Sequence, residues 1–328
     1  MSHPLLPVNP DGFVLAKDVR ASGRQGTLDT QRRHAGLVAV RRGVYVDRAR
    51  SERATPLERH RDRAIAAGLQ RRAPVFAGFT AAVLHGLPVV GGVPHEIFLL
   101  AGGTSGRRRN GVVEIARTGL ETLTEVEGRA IVGVVDAVID VAKRMPLLTA
   151  LVMADAALQI PRYGVDRPRS TPEELRTAYE TRLPFPSSRA VRAVIDRAVT
   201  DAETPIETLS RFRFEELGIP EPQRQVALAL PRLGRVVHLD FAWPELGVWG
   251  EADGAVKYTA DSNAARVVRE EKLREDEIRA VTQWRCARWG WRDAWEGTPL
   301  RDILARAGVR TEGGRAHAIA PLRASRAG

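Results

Sequence analysis

The chain has 328 residues, 44% hydrophobic and 5% aromatic, too long for one ordinary core and apolar enough to fill two or three globular ones. Fifty Lys and Arg against 40 Asp and Glu leave a net charge of +10, which favours a polyanionic partner, DNA first, because basic side chains gain by releasing condensed counterions. Cys286 stands alone, so a disulfide framework and a cysteine zinc site are excluded; no run approaches the roughly 18 apolar residues of a membrane span, and the expected location is cytoplasmic.

In chain order, Phe13 to Val46 predicts helix, turn, helix and short hairpin. Leu15 and Val19 mark the first helix, Gly23 and Gly26 a turn, and Thr27 the cap of a second helix reaching Gly36. Leu37 to Val40 and Val44 to Val46 are β runs joined by Arg41, Arg42 and Gly43. That order is the one used by a winged helix-turn-helix. Its second helix enters the major groove, so Gln31, Arg32, Arg33 and His34 face bases while Arg41 and Arg42 touch phosphate. The stretch AKDVRASGRQGTLDTQRRHAGLVAVRRGVYV, closing on RRGVYV, resembles the N-terminal domain of AbiE-type antitoxins, transcription regulators of bacterial toxin–antitoxin operons. The resemblance implies DNA and a toxin or other operon product as partners. A protein contact or a merely solvated basic face remains the alternative.

Leu57 to Arg72 predicts an Arg-rich helix. Ile97 to Leu100 and Val112 to Ala116 predict strands around the loop GGTSGRRRNG, and Asp136 to Arg144 and Leu147 to Gln159 predict helices. Arg107, Arg108 and Arg109 either grip phosphate or lie on a solvated loop, and GGTSG lacks the lysine of a phosphate-cradling loop. Arg162 to Pro186, rich in Pro, Arg, Ser and Thr, reads as a linker holding one short helix near Pro172 to Thr181.

Beyond it come helices at Ser188 to Thr200 and Pro205 to Leu217, a strand at Gln225 to Leu230, and the hairpin VVHLDFAWPELGVWGEAD from Val236 to Asp253. A helix at Asn263 to Val281, a strand at Trp284 to Trp291 and a helix at Pro299 to Ala307 follow. Glu270 with Arg274, Lys272 with Asp276 and Glu275 with Arg279 stand four apart on the long helix, the spacing of a solvated ion-paired face. The hairpin carries the chemistry. Glu251 and Asp253, two apart, share a face, and Asp240 joins them if the register allows. Carboxylates so clustered repel unless a cation lies between them, and oxygen donors suit Mg²⁺ or Mn²⁺. Ordinary solvated acids on an antiparallel strand are the alternative. Lys257, past the break at Gly254, either folds back toward the acids or is an exposed lysine.

The segments HLDFAWPELGVWGEADGAVKY and REEKLREDEIRAVTQWRCARWGW look like the small nuclease-like domains related to very-short-patch repair endonucleases, within the PD-(D/E)xK superfamily. The resemblance spans roughly Pro205 to Ala307 and implies that Asp240 and Glu251 hold the metal, that Asp253 joins or orients its water, and that Glu207 supplies a further acid. In that superfamily a lysine usually stands two residues after the acid; here that position is Asp253, and Lys257 is the nearest replacement.

The expected fold class is α+β multidomain: a winged helix-turn-helix at 1–56, a mixed α/β middle domain at 57–160, a linker at 161–187, a restriction-endonuclease-like α/β domain at 188–308 and a disordered tail at 309–328. The expected function is Mg²⁺-dependent cleavage of DNA in defence or repair. The alternative is a non-enzymatic regulator of antitoxin type whose nuclease-like domain is degenerate.

Overall fold

The structure, a computed structural model, describes residues 6–34, 36–162, 167–254 and 264–311. It is a mixed α+β protein with four small sheets and, among the described residues, thirteen α-helices. Two compact units divide the chain, one of residues 1–157 and 169–197, the other of residues 158–168 and 198–328.

The first unit opens with β1 (Val14–Leu15), α1 (Ala16–Ala21), α2 (Gln25–Arg33), β2 (Leu37–Arg41) and β3 (Val44–Asp47), the strands ordered β1-β3-β2. Leu15, expected in the first helix, instead lies in β1 opposite Val44. Its side chain buries in a cluster with Phe13, Val44, Val46 and Ile65, while Val19 and Leu28 of the two helices pack on Val14 and Tyr45. Thr27 sits inside α2, whose N-cap is Arg24 without a side-chain cap bond. Gly43 makes the β2–β3 turn at φ +76, a left-handed conformation in which glycine carries no Cβ penalty.

Next come α3 (Arg48–Arg53), α4 (Pro56–Gly68) and α5 (Gly78–Leu84). Thr55 and Glu58 close a reciprocal capping box at the start of α4, at 3.2 and 2.6 Å. Strand β4 (Ile97–Leu100) runs parallel to β6 (Val112–Ile115), and β5 (Arg107–Arg109) pairs antiparallel on its other side. Arg107 to Arg109 are therefore strand rather than loop, with Arg107 Nε donating to Glu114 at 2.7 Å. A hairpin of β7 (Leu123–Val126) and β8 (Arg129–Val132) leads to α6 (Val134–Arg144) and α7 (Leu147–Leu158).

Two further helices, α8 (Pro172–Thr181) and α9 (Ser188–Ile195), belong to this unit. The stretch read as linker thus supplies a packed helix: Thr171 and Glu174 form another capping box, and Leu175 and Tyr179 are buried. Helix α9, expected to open the C-terminal domain, buries Val191 and Val194 in the first unit instead.

The second unit contains α10 (Pro205–Leu217), β9 (Gln223–Leu230), β10 (Arg235–Trp243), β11 (Val248–Asp253), α11 (Ala264–Thr282), β12 (Arg285–Gly290), α12 (Trp291–Glu296) and α13 (Thr298–Ala307). Its sheet is ordered β12-β11-β10-β9. Strands β9, β10 and β11 are antiparallel neighbours, while β12 runs parallel to β11, so the chain crosses over through α11 between them. Phe214 of α10 meets the rings of Phe241, Trp243 and Trp289 edge-on at 5.1, 5.7 and 5.8 Å. Ile278 of α11 packs instead with Leu239 and Trp249. Gly250 is small because a Cβ there would stand 2.6 Å from the Trp289 ring. Trp291, expected to extend the strand, starts α12 and stacks on Trp295 at 6.4 Å.

Candidate active site

Register decides which side chains meet. The β10–β11 ladder ends at Phe241 with Gly250, and Asp240 and Glu251 are the next residues beyond it on the two strands. The Ala252 N–H donates to Asp240 Oδ2 at 3.0 Å, fixing the carboxylate against β11. On its other flank, the pairs Leu239–Val226 and Phe241–Arg224 place Gln225 beside Asp240, and Glu251 faces Arg288 on β12. Gln225, Asp240, Glu251 and Arg288 thus follow one another from strand to strand, a row broken in its pairing at Gln225, where φ is +51.

Helix α10 adds a third acid to the row. Pro205 at its first turn starts the helix, Thr204 caps it, and Glu207 falls in the first turn, where a carboxylate faces the positive end of the helix dipole. Glu207 accepts from the Thr204 hydroxyl at 2.6 Å, the Glu203 N–H at 3.1 Å and Gln225 Nε2 at 2.8 Å. Arg162 holds the far side of Gln225, donating to its Oε1 at 2.7 Å while pairing with Glu203 at 2.8 Å.

Burial and like charge set the protonation. Asp240 is pushed up to about 7, first by burial and then by the negative charge of Glu207, with the Ala252 N–H opposing and Glu251 adding. Glu207 is raised by burial against its hydrogen bonds. Glu251 is also raised by burial, although Arg274 and Arg288 oppose it, Arg274 Nη1 reaching Oε1 at 2.6 Å and Arg288 Nη2 holding Oε2. Arg288 stays firmly charged despite burial because Glu251 and Asp253 face it, and Glu271 lies 3.0 Å away.

Not every expected residue enters this row. Asp253 is exposed at the strand end, its carboxylate 3.6 Å from Arg288 Nε. Lys257 lies outside the described residues. The row contains Glu207, Asp240 and Glu251, while Gln225, Arg162, Arg274 and Arg288 were not singled out as site residues by sequence reasoning. For Arg274 the spacing pointed to Glu270. In the structure Glu270 pairs with Arg266 and Arg274 turns inward to Glu251.

No three His, Cys, Asp or Glu side chains among the described residues converge as a ready metal cage. Mg²⁺ does not require one, since it is commonly held by one or two carboxylates together with waters and substrate phosphates. Asp240 and Glu251, on neighbouring strands, offer that donor pair once a cation displaces Arg274 or Arg288 from Glu251, and a cation would offset the burial and like charge that lift Asp240. The residues fit a two-carboxylate site.

In the first unit, α2 and its C-cap expose Arg32, Arg33 and His34, and Arg42 is exposed at the β2–β3 turn. Arg32 lies over the Tyr45 ring at 5.4 Å. Gln31 is half-buried, and Arg41 is tied down by hydrogen bonds to Gln70 at 3.2 Å and the Asn110 carbonyl at 3.3 Å. The helix and the turn thus present four basic or imidazole side chains, with Arg41 engaged elsewhere.

Among the described residues no helix is long and apolar enough to cross a membrane. No protein-family model and no curated protein matches the chain.

Proposed function

We propose that the chain is a DNA-binding protein whose second unit has a restriction-endonuclease-like fold and cleaves phosphodiester bonds with the help of Mg²⁺ or Mn²⁺. The observation that carries this reading is the group of acids Asp240, Glu251 and Glu207, in which burial first and the charge of Glu207 second push Asp240 up to about 7. Strongly perturbed carboxylates gathered at one place are the mark of a functional site more than of a structural one. The order helix, three antiparallel strands, crossover helix and parallel strand is that of the PD-(D/E)xK nucleases to which the sequence bears its resemblance.

Asp240 and Glu251 would hold the divalent ion, which when bound neutralises the scissile phosphate and lowers the pKa of an attacking water. The Ala252 N–H keeps Asp240 Oδ2 in place, and Gln225 ties Glu207 to the same row. Arg274 and Arg288 oppose the rise that burial imposes on Glu251 and would bring two guanidinium groups to a phosphate held beside it. The first unit, read as a winged helix-turn-helix, would bring Arg32, Arg33, His34 and Arg42 to DNA.

The test is nicking of supercoiled plasmid by the full chain with Mg²⁺ or Mn²⁺. Nicking that disappears in Asp240→Ala and Glu251→Ala is expected; no nicking on varied DNA, or nicking indifferent to both substitutions, refutes cleavage.

One observation favours a second reading, a non-enzymatic regulator of antitoxin type with a toxin as its operon partner. Both oxygens of Glu251 are already engaged by arginines, and Asp253 stands where the superfamily's lysine usually does. Under that reading the chain shifts its own upstream DNA, the shift is lost with Arg32→Ala and Arg33→Ala, and Asp240→Ala leaves it intact.

A further inference from the structure

Strand β12 is an edge of the second unit's sheet, and along it runs a cavity of about 750 Å³ walled by β12, the end of α11 and α13. Its lining holds four arginines, Arg279, Arg285, Arg288 and Arg306, and no carboxylate. Two of them are already balanced: Arg279 pairs with Glu275 at 2.5 Å, and Arg288 holds Glu251. Arg285 donates only to the Leu246 carbonyl, at 3.2 Å, and neither it nor exposed Arg306 forms an ion pair among the described residues. A concave site with two uncompensated guanidinium groups selects an anion, because Arg presents several donors in a planar fork suited to phosphate.

Position narrows the anion further. Arg285 and Arg288 are three residues apart, about 10 Å along this edge strand and on opposite faces of it, so the cavity wraps the free edge of β12, and Arg288 belongs to both places: it lines the cavity and pairs with Glu251, Asp253, Glu271 and Glu275 at the acids. An anion that spans Arg306, Arg285 and Arg288 and ends beside the carboxylates is a chain of phosphates rather than a single one. We propose that this groove seats the sugar–phosphate backbone of DNA, with Arg285 and Arg306 taking phosphate oxygens and Arg288 joining the seat to the acids. The inference rests on the DNA-directed reading of this unit and adds to it the path of the strand.

The experiment measures binding of a fluorescent duplex of about 20 base pairs to the full chain in EDTA, from about 50 to about 200 mM KCl, where each lost phosphate contact lowers the slope of log affinity against log salt by about one. Arg285→Gln with Arg306→Gln is expected to weaken binding and lower that slope by about 2. Arg301→Gln, on α13 but outside the groove, should leave both unchanged. Arg306→Gln alone, at an exposed side chain, should lower the slope by about 1 and shows that the loss is not one of folding. Unchanged affinity and slope in the double variant overturn the proposal. Plasmid nicking separates it from the cleavage reading. A wild-type chain that never nicks while the double variant loses slope leaves the groove standing and removes cleavage. A double variant that binds and nicks like wild type removes the groove and leaves cleavage.

Discussion

At the scale of single residues, Asp240 is the most informative side chain in the second unit. Its carboxyl titrates near 3.8 when free and at about 7 in the fold, so between those values the folded chain holds a proton that the unfolded chain has released. A raised carboxylate favours folding below the window and penalises it above, by up to about 1.4 kcal/mol per pH unit inside it. Without divalent ions, the chain should therefore lose stability as pH rises from about 4 to about 7. Asp240→Asn keeps an oxygen for the Ala252 N–H and cannot ionise, so it should melt higher than wild type at pH 8 and much closer to it at pH 5, all in EDTA. A melting difference between the two proteins that is the same at both pH values contradicts a carboxyl lifted by burial and like charge. The same substitution should abolish nicking, since sites built for chemistry commonly carry strain that costs stability.

At the scale of elements, α10 shows how a local signal can place a distant group. Thr204, Pro205 and Glu207 begin the helix by cap, fixed φ and first-turn charge, and the Thr204 hydroxyl also donates to Glu207. Thr204→Ala should cost about 1 kcal/mol of stability in urea melts, and because it removes one of the bonds that position Glu207, nicking should fall several-fold more than a control cap loss at Thr171→Ala, which is in the other unit. Equal effects of the two substitutions on nicking would make Glu207 a capping residue and nothing more. The span Pro205 to Leu217 was legible in the sequence because the cap, the proline and Gly218 all punctuate it. In the stretch from Arg162 to Pro186 the helix at Pro172 to Thr181 was legible from the same punctuation, but its packing was not: Pro, Ser and Thr read as linker by composition, yet Leu175 and Tyr179 of that helix are buried in the first unit. Alternation brought Asp240 and Glu251 to notice in the sequence but also joined Asp253 to them, which is exposed at the strand end, and it said nothing of their neighbours. Arg288 reaches Glu251 only through parallel pairing across a crossover, and Gln225 reaches Glu207 through a ladder interrupted at φ +51; spacing along the chain records neither.

At the scale of the whole molecule, almost all of the net charge of +10 falls in the first unit, with 28 Lys and Arg against 19 Asp and Glu, while the second has 22 against 21, and its consequence is a steep salt dependence of DNA binding through the first unit. The charge is sorted by role. In the first unit the exposed arginines of α2 are free to meet DNA, whereas in the second Arg274 and Arg288 are spent on Glu251. Binding and cleavage should therefore separate by mutation. Arg32→Ala with Arg33→Ala should lower the salt slope of duplex binding by about 2 and slow nicking in proportion to occupancy, so that the rate recovers when protein is raised to saturate the DNA. Asp240→Asn should bind the duplex as tightly as wild type in EDTA and stay silent at any protein concentration. Plasmid titrations with both variants read the difference directly. If saturating Arg32→Ala, Arg33→Ala protein stays as inactive as Asp240→Asn, the helix α2 arginines take part in the reacting complex and the division of labour between the two units is wrong.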